Sequence, residues 1–115
     1  MTMDPHARKE ALSQYRERPP AWGVFAVVCE ASGQVWVGKG ANVDRQQNGL
    51  WFALRMGSSP FRSLQAAWRE HGEAAFRYEE LERLRPDYPE IGIKDELVRR
   101  AALWTARLQA DVLKA

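Results

Sequence analysis

At 115 residues the chain is the size of one domain, long enough to bury a single core without disulfides or a structural metal. A composition of 45% hydrophobic and 28% charged residues, with five Trp, excludes a disordered or low-complexity chain, and a net charge of +2 is too small to imply a polyanionic partner by itself. The single Cys29 excludes an internal disulfide, and no apolar stretch approaches the roughly 20 residues that span a bilayer. A cytoplasmic protein without a membrane partner is expected.

In chain order, Asp4 and Pro5 make a helix start, Asp accepting from free backbone N–H groups and Pro tolerated in the first turn. A helix over 5–16 follows, with Ala7, Ala11, Leu12 and Tyr15 on one face. Pro19 and Pro20 stop it and lead to Trp22, which anchors the start of a strand. Residues 1–20 are thus a helix and Pro-Pro lead-in to a single domain covering 1–115.

Residues 23–38 read as a β-hairpin closed at Ser32 and Gly33, because Gly supplies the positive φ a tight turn needs. In the first strand Val24, Ala26 and Val28 alternate with Phe25, Val27 and Cys29, so both faces are apolar. Such a strand is buried on both sides, at a sheet centre covered by helices. Cys29 is there a small buried hydrophobe. The second strand covers 34–37 and ends at Gly38.

Asn42 is positioned to cap a helix over 43–56, which Asn48 and Gly49 break into two kinked pieces. Ser59 caps the next helix, with Pro60 in its first turn, Leu64, Trp68 and His71 at helical spacing, and Gly72 as a left-handed stop. Residues 76–81 alternate as a third strand with one wet face, 85–92 form a loop, and 94–112 an amphipathic helix on Leu97, Ala101, Trp104 and Leu108. The expected class is α/β (α+β), a small three-stranded antiparallel sheet flanked by helices.

Charge is uneven. Residues 39–77 carry Lys39, Arg45, Arg55, Arg62, Arg69 and Arg77 against Asp44, Glu70 and Glu73, whereas 78–96 are acidic in excess. His6 and His71 are the only histidines, and neither pairs with Cys or His at metal-ligand spacing, so zinc is not expected. Gly38-Lys39-Gly40 lacks the rest of a phosphate-loop pattern.

The ordered text GVF (23–25), WVGKGANV (36–43) and SLQAAWREHGEAAFRYEELERL (63–84) resembles the GIY-YIG nuclease superfamily. In that family two short triplets of this kind lie on the first two strands at about this separation. The match covers residues 15–109, and the phrase from Leu64 to Phe76 resembles bacterial members. The resemblance implies an endonuclease that cleaves nucleic acid with one divalent metal, magnesium or manganese. A tyrosine hydroxyl helps activate or orient water, a second tyrosine supports it, an arginine stabilises phosphate charge and a glutamate on the last helix holds the metal.

Position by position, those groups are substituted. The tyrosine positions hold Phe25 and Trp36, neither of which can transfer a proton. The arginine position, about eight residues beyond Gly38, falls on Gln46, with Arg45 one residue earlier and Gly49 the alternative under a longer spacing. The glutamate position falls on Ala101, with Ala102 beside it and Glu96 more than one helical turn upstream. The expectation is a catalytically degenerate nuclease homologue that keeps a surface for DNA, RNA or a protein partner. That surface would comprise Lys39, Asn42, Arg45, Arg55 and Arg62, or else these are a solvated face. Phe25 and Trp36 are either an aromatic wall for a base or ordinary core residues. Two alternatives remain: an active nuclease with a site rearranged around Arg45, Glu96, His71 and Tyr78, and a protein-interaction module built on the surplus aromatics.

Overall fold

A computed structural model describes residues 20–113; the expected helix over 5–16, and His6 within it, lie outside the described residues. The hairpin forms from β1 (Gly23–Cys29) and β2 (Val35–Gly40), paired antiparallel with Phe25 opposite Gly38 and Val27 opposite Trp36. Its turn closes where the Gly33 N–H donates to the Cys29 carbonyl at 2.8 Å, with Gly33 at φ +80. β3 (Phe76–Arg83) pairs antiparallel with the other edge of β1, so β1 is central, as its two apolar faces require.

A fourth strand corrects the expected three. The last helix stops at Leu108 because Gln109 takes a left-handed conformation (φ 51), and β4 (Asp111–Val112) then runs parallel to β2. The order is β3-β1-β2-β4. A short amphipathic pattern reads the same way as helix or edge strand until the turn that reverses it is known.

Side chains of β1 alternate between two cores. Phe25, Val27 and Cys29 join Trp36, Trp51, Leu54, Leu64 and Trp68 beneath α1 (Gln47–Arg55) and α2 (Arg62–His71). Val24 and Ala26 are fully buried on the other face, where α3 (Glu90–Leu108) packs through Leu97. The indole of Trp104 and the guanidinium of Arg100 fasten α3 to Glu82 of β3, at 2.9 and 2.7 Å.

Several boundaries differ from the sequence reading. Asn42 does not cap α1; it bridges Ala21, and the helix begins five residues later after Gln46. α1 is one helix running through Gly49 without a break, held by Trp51 and Leu54 in the core, so burial outweighs the roughly 1 kcal/mol cost of Gly. α2 starts at Arg62 because the Ser59 hydroxyl accepts from the Phe61 N–H instead of capping later residues. Buried Gln65 binds that loop, accepting from the Ser59 N–H and donating to the Leu54 carbonyl. Gly72 has φ 82 but ψ 161, an extended bend and not a left-handed helical cap. A single-turn 3-10 helix (Glu73–Ala75) follows it, and α3 begins at Glu90, inside the expected loop.

Candidate nucleic-acid groove beside the hairpin

The two motif glycines have steric reasons. A Cβ at Gly38 would lie 2.4 Å from the Phe25 ring, and one at Gly23 would lie 2.2 Å from the Glu82 carbonyl oxygen. Gly38 therefore lets the position-25 ring lie flat across β2, and Gly23 lets β3 close on β1. Both glycines serve the hairpin geometry, whatever chemistry the neighbouring side chains carry.

Phe25 is buried and stacks on Tyr78, with ring centroids 5.3 Å apart and an interplanar angle of 21°. The Tyr78 hydroxyl donates to the Val43 carbonyl at 2.7 Å and accepts from the Gln46 amide at 3.1 Å. Burial pushes the Tyr78 phenol up to about 12, against a smaller lowering by the Gln46 hydrogen bond. The phenol is neutral at physiological pH and its lone proton is engaged, so it is a poor base.

Of the candidate arginine positions, Gln46 is the one joined to residue 25, through Tyr78. Arg45 instead faces outward, its guanidinium 3.8 Å from Asp44. Gly49 lies farther along α1. Trp36 is also buried, its indole N–H donating to the Ser63 hydroxyl at 3.2 Å. Both Phe25 and Trp36 sit within the core under α1 and α2, where they present no open aromatic wall.

Position 101 is carried by α3, the helix on the Val24 face, whereas Phe25 points into the α1–α2 core. Glu96 lies on the same helix, bound by Arg99 and, at 2.6 Å, by Arg100. Those hydrogen bonds hold its carboxyl down to about 2. His71, at the end of α2, has the Glu70 carboxylate 3.8 Å away. Arg45, Glu96, His71 and Tyr78 therefore sit in four separate environments.

Phe25, Trp36 and Ala101 offer no metal ligand, and among the described residues no group of three or more His, Cys, Asp or Glu could hold a metal ion. The residues present do not fit the divalent ion that the fold's nucleases use. Glu82, the carboxylate nearest α3 in β3, is taken by Arg100 and Trp104.

A groove of about 680 Å³ opens beside this set, between α1 and the loop before α2. Asn42, Arg45 and Gln46 line one side and Leu50, Ala53 and Phe61 the rest. Arg62 follows Phe61 in the chain and is exposed. The remaining two expected cations lie elsewhere. Lys39 lines a second pocket of about 370 Å³ with Trp22, Lys94 and Leu97, and Arg55 makes two hydrogen bonds to Glu73, at 2.6 and 2.8 Å. Sequence reasoning missed the groove walls Leu50, Ala53 and Phe61, whose apolar character read only as helix patterning.

No family model and no curated protein matches the chain. Two solved structures do. The catalytic domain of the homing endonuclease I-TevI superposes with a TM-score of 0.66 at 18% identity, covering 82% of this chain and 99% of that one. A mutant form of the catalytic domain of the intron endonuclease I-TevI gives 0.64 at 22% identity, covering 77% and 84%. The chain has the GIY-YIG nuclease fold.

Proposed function

We propose that this GIY-YIG-fold protein binds nucleic acid through the groove between α1 and the loop before α2, and has lost or strongly reduced metal-dependent phosphodiester cleavage. The observation that carries the reading is the closed set of Phe25, Tyr78 and Gln46: a ring without a hydroxyl, a phenol with its proton engaged, and an amide where the family has a guanidinium. Hydrolysis needs proton removal, charge neutralisation and a Lewis acid, and none of the three has a group at its family position. Binding needs less. Arg45 and Asn42 line one groove, Arg62 follows its wall residue Phe61 in the chain, and cationic groups at a groove rim attract phosphate.

The likeness to two endonuclease domains favours, as a second reading, an active magnesium- or manganese-dependent nuclease with a rearranged site. Incubating the pure protein with plasmid and with single-stranded DNA plus magnesium or manganese separates the two, with Arg45→Ala as control. The first reading expects binding and no cleavage. Cleavage that disappears in Arg45→Ala overturns it.

A further inference from the structure

We infer that the groove takes an unpaired nucleobase, so that the strand this protein prefers is single-stranded and not duplex. The inference rests on the nucleic-acid reading above and narrows it. The groove's volume, about 680 Å³, falls in the range of small-molecule sites and leaves room for a base and its sugar. Its walls at Leu50, Ala53 and Phe61 suit the flat, weakly polar face of a base better than a phosphate.

Gly49 widens that slot. A Cβ built there meets nothing within 4 Å, so the α1 backbone stands open to close approach at the groove wall. Phe52, three residues on, occupies the adjoining strip of the helix and is 62% exposed. Phe52 is not part of the groove's lining, and an exposed aromatic ring three residues along α1 from Gly49 is a stacking platform for a second, neighbouring base of a single strand. Arg45, 3.8 Å from the Asp44 carboxylate, lines the groove and would supply a phosphate contact there, while Arg62, exposed and next in the chain to the wall residue Phe61, lies outside the lining.

A duplex would use this surface poorly. Its base faces are stacked inside the helix, and what it presents to a protein is mainly two rows of phosphates. Of the four cations expected to meet them, Arg55 is occupied by Glu73 and Lys39 lines a different pocket. That leaves Arg45 as the one expected cation lining the groove for a duplex, beside an apolar slot sized for one unstacked base.

The test is fluorescence anisotropy at low salt with a labelled thymidine single strand and a hairpin duplex of equal nucleotide count. Wild-type, Phe52→Leu, Phe52→Trp and Arg45→Ala proteins are compared. The single strand is expected to bind about tenfold or more tightly than the duplex, and Phe52→Leu to lose roughly fivefold or more for the single strand only. Phe52→Trp retains affinity, and Arg45→Ala flattens the salt dependence. Equal affinity for duplex, or a Phe52→Leu protein that binds like wild type, overturns the unpaired-base inference while leaving nucleic-acid binding intact. No binding of either probe overturns both. Should Phe52→Leu fail to fold, the wild-type comparison of single strand with duplex still decides.

Discussion

Phe25 and Tyr78 lie face to face, centroids 5.3 Å apart and planes 21° from parallel, so the ring at the first motif position is covered by a phenol from β3. Gly38 closes the other side of the Phe25 ring. A side chain held between a strand backbone and a stacked ring has no room to swing out. The identity of residue 25 is therefore a statement about packing as much as about chemistry.

Two glycines separate the steric and conformational roles of that residue. Gly38→Ala puts a methyl into the Phe25 ring, which cannot retreat from Tyr78, and is expected to destabilise the protein by about 1–3 kcal/mol. Gly49→Ala meets empty space within a helix and is expected to stabilise by up to about 1 kcal/mol. Urea denaturation of both variants checks the opposite signs.

Tyr78→Phe leaves the Val43 carbonyl and the Gln46 amide without their partner and is expected to cost about 1–2 kcal/mol at neutral pH. The alkaline limb supplies a second readout. Because the folded phenol is raised from 10.0 to about 12, its contribution is complete below pH 10 and is lost as pH rises towards 12. Thermal melts between pH 9 and pH 12, values set by that shift, should show a loss in the wild type that the variant lacks.

Glu96 has the opposite sign. Its carboxyl is held from 4.5 down to about 2 by Arg99 and Arg100, so its contribution is present above 4.5 and disappears as pH falls through about 2. The melting temperature of Glu96→Gln should lie below that of the wild type at neutral pH and converge with it in strong acid. A constant gap across the range would show that the carboxylate is not what fastens Arg100.

Restoring the family groups is a direct trial of the site alignment. Phe25→Tyr, Trp36→Tyr, Gln46→Arg and Ala101→Glu together supply the proton-transfer, phosphate and metal groups that the resemblance to the family implies at those positions. A folded variant without magnesium-dependent nicking of plasmid is the expected outcome, because α3 carries position 101 on the Val24 face while residue 25 points into the α1–α2 core. Nicking absent from the wild type would show that the two positions still meet. Inactivity of a folded variant would mean that the geometry has changed along with the side chains.

Arg55→Ala and Arg45→Ala should differ in nucleic-acid affinity, although both delete one cation. Arg55 already spends its guanidinium on Glu73, whereas Arg45 borders the groove. A loss of affinity is expected for Arg45→Ala alone, read by anisotropy at fixed salt.

The hairpin, the central place of β1 and the fold itself were legible in the sequence, because two apolar faces around a Ser-Gly turn, with glycines at 23 and 38, leave few alternatives. That Phe25 and Trp36 carry no hydroxyl is read directly from the residue types. What the sequence could not determine was which residues meet. That Gln46 and not Arg45 reaches Tyr78, that Arg55 belongs to Glu73, and that Lys39 lies apart from Arg45 depend on contacts 18 to 32 residues apart and on how the elements pack. The parallel strand after Gln109 and the groove between α1 and Phe61 arise in the same way, from where separate elements come to rest against one core. Local periodicity sets which face of an element is buried; only the packing of elements against one another decides what that face meets.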